Sequence, residues 1–252
     1  MDKEKILKFA MDASLVMLQN GAETNRVEDT MTRILKNYGF VEIEPFVTST
    51  GMFCTVIDQD GKIFSATKRI AKRGINLEKI SLINEMSRKL AEKKIDLEEA
   101  IKEVERIRAL KPYKNIHKMV ATAIACAAFS HIFGGNHIDA AVAFLASLTL
   151  FGFIILAGRF NISDFVVNII GGGISSSVVL MLYRLGFGAN VDVAIIGSIM
   201  PLIPGVSFTN AVRDVFAGDY LSGTSRLLDS VLVAICIATG VGASLGFWFF
   251  VG

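Results

Sequence analysis

KPYKNIHKMVATAIACAAFSHIFGGNHI, residues 111 to 138, is where one polypeptide changes character. It opens with Lys111, Lys114, His117 and Lys118, but from Met119 to Ile138 it has no Asp, Glu, Lys or Arg, and no lysine follows Lys118. A helix crossing a hydrocarbon core about 30 Å thick needs about 20 mostly apolar residues, which this stretch supplies. Upstream, residues 1 to 118 carry 22 Lys or Arg and 18 Asp or Glu; downstream, residues 119 to 252 carry 4 and 6. The net charge of +2 is thus +4 on one part and −2 on the other. With 52% hydrophobic residues and a mean hydropathy of +0.51, a single soluble globule is excluded, and the near-balanced charge gives no reason to invoke nucleic acid.

Four more charge-free stretches follow, Ala140 to Gly158, Phe165 to Tyr183, Val193 to Val212 and Ser230 to Gly252. The expected fold is therefore an all-α membrane bundle of five transmembrane helices over residues 116–252, preceded by a small cytoplasmic α+β domain over residues 1–115. The first twenty residues alternate acid, base and apolar without the pattern of a secretory signal, which keeps the N-terminus in the cytoplasm. Lys111, Lys114, Lys118, Arg159, Arg213 and Arg226 then fall inside and only Arg184 outside, the bias expected of a multi-pass protein of the cell membrane, with Gly252 outside.

In the polar part, apolar positions between Glu4 and Leu18 predict a helix ended by Gly21, and a second is expected over Thr24 to Tyr38. Val41 to Thr50 and Met52 to Ala66 are rich in β-branched and aromatic residues, with Asp60-Gly61 as a hairpin signal. Helices are expected from Leu77 to Lys93 and from Leu97 to Ala109, the latter capped by Asp96 with Glu99, and Pro112 closes the domain.

Phosphate-loop, zinc-protease and nucleophile-elbow signatures are absent, and nothing calls for a cofactor or metal. Cys54, Cys126 and Cys236 read as free thiols packed as small hydrophobes. Gly242 and Gly246 have the spacing of a helix-packing pair. The third span holds Asn168, Gly171, Gly172, Gly173, Ser175, Ser176 and Ser177; this is either a close helix crossing with serines bonded to carbonyls, or a polar substrate path with local unwinding.

The fourth span contains MPLIPGVSFTNAVRD, residues 200 to 214. Pro201, Pro204 and Gly205 break a helix in mid-span, tolerated only where protein or a water-filled cavity surrounds the break. A half-helix starting near Gly205 would offer free N–H groups and partial positive charge to a carboxylate, with Thr209 and Asn210 beside it; a plain proline kink is the alternative. Arg213 and Asp214 follow, with Asp219, Arg226 and Asp229 beyond them. They are either a snorkelling pair at a helix end or working groups at an inner mouth, Asp214 relaying a proton and Arg213 drawing in an anion. His131 is a further titratable candidate. GAETNRVEDT at 21 to 30 offers Thr24 as a helix N-cap and a polar cluster of Glu23, Arg26, Glu28 and Asp29.

GAETNRVEDTMTRI at 21 to 34, together with PGVSFTNAVRDVFAGDYLSGTSRLLDSVLVAICIATG at 204 to 240, resembles the threonine/serine exporter family over nearly the whole chain. The family pattern falls on Glu23, Thr24, Arg26 and Glu28, and on Pro204, Gly205, Asn210, Arg213, Asp214, Gly218, Asp219, Gly223 and Arg226. The resemblance implies secondary export of threonine and serine, or of succinate in the split branch of the family, driven by the proton gradient. It also implies a small companion membrane subunit, since full-length exporters add a second block of spans. The partners expected are thus a carboxylate-bearing substrate, the proton, the lipid bilayer and that companion, with self-association left open. The competing class is a membrane-anchored enzyme or sensor whose N-terminal domain binds a small molecule.

Overall fold

A computed structural model describes residues 2–70 and 74–251. The expected position of Gly252 lies outside the described residues. The chain divides into two compact units, one of Met1–Lys111 with Gly205–Leu228, the other of Pro112–Pro204 with Asp229–Gly252. Residues 205–228, expected within the membrane bundle, are thus packed with the N-terminal residues.

The first unit begins with α1 (Lys3–Gln19), whose apolar residues cover more than half its circumference: Ile6, Phe9, Ala10, Ala13, Met17 and their neighbours are all buried. Such a helix is a core element, and α2 (Thr24–Lys36), α3 (Leu77–Ala91) and α4 (Leu97–Ala109) pack around it. Gly21 reverses the chain after α1 at φ +91°, a left-handed geometry that a residue with a side chain adopts only with strain. The expected capping box is present, with the Glu99 amide donating to Asp96 Oδ1 over 2.8 Å.

Strands β1 (Phe40–Val47), β2 (Gly51–Asp58) and β3 (Ile63–Arg69) form an antiparallel sheet in that order. Along β2 the alternation Met52, Cys54, Val56, Asp58 points inward. Asp58 holds the β2–β3 hairpin by accepting from the amides of Asp60 and Lys62 at 3.0 and 2.9 Å, and Gly61 takes the positive φ that the turn requires. Burial pushes the Cys54 thiol up to about 12, so in the folded protein it has almost no thiolate at pH 8. Maleimide labelling at that pH is expected to miss Cys54 until denaturant is added; labelling of the native protein would contradict its burial.

The second unit contains α5 (Asn115–Ile132), α6 (His137–Arg159), α7 (Asp164–Arg184), α8 (Val191–Ile199), a short 3-10 turn (Met200–Leu202), and α10 (Tyr220–Val251) from Asp229 onward. Among the described residues three helices, α6, α7 and α10, are long and apolar enough to cross a membrane; a fourth span results if Val191–Leu202 and Gly205–Phe216 are counted as one broken span. Five were expected. The shortfall lies in α5, which begins at Asn115 and so takes in His117 and Lys118, then ends at Ile132 before the Gly134–Gly135 turn rather than running to Ile138. The fourth expected span is interrupted at Ile203 and Pro204, and α9 (Gly205–Phe216) starts directly after the proline.

The glycine and serine face of α7 is a helix crossing. A Cβ at Gly172 would meet the Ile237 carbonyl at 3.0 Å, and one at Gly240 would collide with the Ile169 carbonyl. The helix is continuous, so the unwinding considered at Gly171–Gly173 is not seen. The expected packing pair Gly242 and Gly246 is also corrected, because a Cβ at either meets nothing within 4 Å; the close approach is made by Gly240. The serines are satisfied locally: Ser175 donates to Ser198 at 2.8 Å, Ser176 to the Gly172 carbonyl at 2.7 Å, and Ser177 pairs with Ser244 at 2.7 Å. At one end of the crossing Arg184 lies over the Trp248 ring at 4.7 Å.

Candidate functional site

In the first unit, α9 and the start of α10 form a helical hairpin whose sequence explains itself. Gly218 makes the turn at φ +91°. Gly223 lets the helices touch, since a Cβ there would lie 2.9 Å from the Val215 nitrogen and 3.0 Å from the Ala211 carbonyl. The backbone is locked by Asp219 N–H donating to the Asp214 carbonyl at 2.8 Å. One face of α9, carrying Asn210, Ala211 and Asp214 at helical spacing, is buried.

That face meets the loop between α1 and α2. Asn210 donates to the Gly21 carbonyl at 2.8 Å, and Arg226 donates to the Ala22 carbonyl at 2.9 Å. Asp214, 1% exposed, accepts from the Thr24 amide and the Thr24 hydroxyl, each at 3.2 Å, and faces Arg226 Nε at 3.3 Å. Arg213 pairs with Glu23 on the outer rim. Ser49, after β1, reaches Ser225 at 3.3 Å.

Two expectations change. Thr24 is not an N-cap: Glu23 holds that position without a side-chain cap, and Thr24 is the first helical residue. The cap comes from Asp214, 190 residues away, whose carboxylate satisfies a free amide of α2 and lies at the positive end of its dipole. Nor do Arg213 and Asp214 form a snorkelling pair; neighbours on a helix face different ways, and each has its own partner in the N-terminal stretch.

The structure therefore joins Glu23, Thr24, Asn210, Arg213, Asp214 and Arg226 in one hydrogen-bonded site. Arg26 is at its edge, 3.7 Å from Glu23. Glu28 lies one turn further along α2, where its carboxylate accepts from the Val47 amide at 2.9 Å. Asn168, Gly172, Ser176 and Pro204 belong to the other unit, Asn168 half-buried and Pro204 beside an apolar groove that also takes in Ile199, Ile237 and Gly242. Thr209 is exposed and bonds only back to the Gly205 carbonyl at 2.9 Å. His131 is engaged with the Gly135 carbonyl at 2.8 Å.

Sequence reading missed the pairing itself, the Ser49–Ser225 contact, and buried Asp139, whose carboxylate holds the amides of Ala189 and Asn190 at 2.7 and 3.0 Å in the second unit. The capping-box pattern Asn136 to Asp139 was a readable signal for the last.

Electrostatically, the site has carboxylates in excess of what Arg226 balances. The Glu28 carboxyl lies above its ordinary 4.5, mainly through burial, offset by the Val47 amide and reinforced by Asp219, Asp29 and Asp214. Asp219 lies above its ordinary 3.8 through burial and the Asp214 charge. An acid whose pKa is raised by folding binds its proton more tightly in the folded chain, so it destabilises the fold at neutral pH, and that penalty fades as pH falls through the raised value. Glu28→Gln and Asp219→Asn are accordingly expected to raise the unfolding midpoint at pH 7.5, with the difference from wild type shrinking toward pH 4. A gain that grew on acidification would contradict this assignment.

Residues 8–248 match the family described as "Putative threonine/serine exporter". A Klebsiella aerogenes protein named "Probable succinate transporter subunit YjjP" is similar at 26% identity, over 98% of this chain and 95% of its own length. An Escherichia coli protein of the same name is 25% identical over 96% and 94%. No solved structure matches the chain significantly.

Proposed function

The chain belongs to the threonine/serine exporter family, and from that premise we propose that it is one subunit of a proton-coupled exporter of carboxylate-bearing metabolites, completed by a small membrane companion. The observation that carries this reading is the buried Asp214–Arg226–Thr24 junction. Both stretches that mark the family converge on it, in a chain with several apolar helices. A carboxylate that caps one helix and pairs with an arginine of another is a two-position element: displacing it frees α2 and α10 together. Glu28 and Asp219 are the groups that take the proton, since a raised carboxyl beside a buried aspartate exchanges protons closer to physiological pH than an exposed one. Arg213 and Glu23 form the rim through which an anion is drawn in.

The relatives named as succinate transporter subunits support both the subunit character and a dicarboxylate among the cargoes, with serine and threonine suggested by the family description. The excess of Lys and Arg predicted on one side supports a cytoplasmic N-terminus. Against the anchored-enzyme alternative, residues 205–228 are part of the first unit, so that unit is not a self-contained module hung on an anchor.

The test is efflux of preloaded labelled serine, threonine and succinate from cells lacking their own exporters, with and without the companion. Loss of one label, only with both proteins and only under a proton gradient, is expected. Asp219→Asn should retain membrane insertion while losing most of the gradient dependence. Both proteins in the membrane with no label released would overturn the reading.

A further inference from the structure

A separate feature of the first unit is a cleft of 300 Å³ between α2 and α3, lined by Glu23, Asn25, Arg26, Asp29, Arg33, Asn84 and Arg88. Arg26, Asp29 and Arg33 recur at helical spacing on α2, and Asn84 and Arg88 lie one turn apart on α3, so both helices turn a polar stripe to the same space. Three guanidinium groups thus face one small cavity.

Their partners differ. Arg26 is 3.7 Å from Glu23, and Glu23 is also engaged by Arg213. Arg33 is fixed differently: its Nη1 donates to Asn84 Oδ1 at 3.2 Å and to Ser87 Oγ at 3.0 Å, both neutral acceptors, and Ser87 is itself buried and bonded to the Asn84 carbonyl at 2.8 Å. Among the described residues neither Arg33 nor Arg88 forms an ion pair with a carboxylate. A guanidinium oriented by neutral neighbours keeps its charge and its remaining N–H donors available, and its planar fork matches a carboxylate or phosphate. Asp29 stands four residues before Arg33, within reach of a pair along the helix, yet Arg33 reaches across to α3 instead.

We propose that the α2–α3 cleft is a binding site for a small anion, a carboxylate or phosphate group held between Arg33 and Arg88, with Asp29, one turn before Arg33 on α2, selecting what the rest of the ligand carries. Asp29 repels a second negative charge and accepts a positive one, so the site ranks a ligand carrying an ammonium group above a dicarboxylate of the same size. The site is distinct from the Asp214 junction and touches it through Glu23, so occupancy has a direct route to Arg213.

The test is calorimetric titration of the purified full chain in detergent with serine, succinate and inorganic phosphate. Saturable binding of at least one is expected, weakened tenfold or more by Arg33→Gln and by Arg88→Gln. Arg88 is exposed and makes no bond the fold depends on, so the second variant separates lost binding from lost folding. Asp29→Asn should tighten succinate or phosphate several-fold and weaken serine. No saturable binding of any of the three, or binding indifferent to both arginine variants, would overturn the proposal. Since nothing is transported in this assay, its failure would leave the exporter reading standing, and failed efflux would leave this site standing.

Discussion

Asp214→Ala is expected to be the most destabilising single change in the first unit. It leaves the Arg226 side chain, 11% exposed, beside an empty position, uncaps α2 and leaves the Thr24 hydroxyl without its acceptor. Removing one member of a buried ion pair costs about 3–5 kcal/mol, because the other charge remains desolvated; loss of a helix cap adds about 1 kcal/mol. Such a loss is a large share of the roughly 5–15 kcal/mol that holds a typical domain folded. Asp214→Asn keeps an acceptor for the Thr24 amide and should lose clearly less. The sharpest readout is local: in Asp214→Ala, hydrogen exchange should accelerate at the amides of the first turn of α2, Thr24 to Val27, beyond any change in α4. Unchanged protection at Thr24 would remove the cap assignment. The double variant Asp214→Leu with Arg226→Met removes the stranded charge but leaves the Thr24 amide, the Thr24 hydroxyl and the Ala22 carbonyl without these partners, so it should recover only the part of the loss that comes from the desolvated arginine.

Gly240→Ala and Gly242→Ala, two positions apart on α10, should move stability in opposite directions. At Gly240 a methyl group would overlap the Ile169 carbonyl and come within 3.0 Å of the Gly173 nitrogen. Both neighbours are backbone, so relief requires α7 and α10 to separate, which also loosens Ser177 from Ser244. Overpacking of this kind costs about 1–3 kcal/mol, and here the obstacle cannot rotate away. At Gly242 the methyl enters open space, and replacing a helical glycine by alanine gains up to about 1 kcal/mol. Thermal unfolding of the two purified variants in one detergent would compare them directly. Equal effects at the two sites would mean that the crossing is not where the structure has it.

Local signals were legible in the residues. The Asp96–Glu99 cap, the Asp60-Gly61 hairpin and the helix-ending Gly21 each follow from chemistry within a few residues, and all are found. The apolar stretches of α6, α7 and α10 were legible for the same reason, as a span is a local run. What local reading could not supply is partnership. Thr24 looked like its own helix cap because serines and threonines before helices commonly are; a carboxylate arriving from residue 214 leaves no trace near residue 24. Asp214 and Arg213 looked like a pair because they are adjacent, although adjacency on a helix sends side chains about 100° apart. Gly242 and Gly246 had the right spacing and the wrong surroundings, whereas Gly240 had no motif and the contact. The site was therefore visible as two lists of residues, and only the fold made them one.

The return of residues 205–228 to the first unit also has a consequence in time. When Lys111 has been synthesised, α1 to α4 and the sheet are available to pack, but the acceptor for the Thr24 amide and the donors to the Gly21 and Ala22 carbonyls do not yet exist. At about 5–20 residues per second, roughly ten seconds separate Lys111 from Leu228. During that interval the α1–α2 loop must stay open and wetted while the chain from Pro112 to Pro204 enters the membrane. Closing the junction is therefore a late step of synthesis: until Gly205 to Leu228 has emerged, the start of α2 is uncapped and is a ready target for proteolysis.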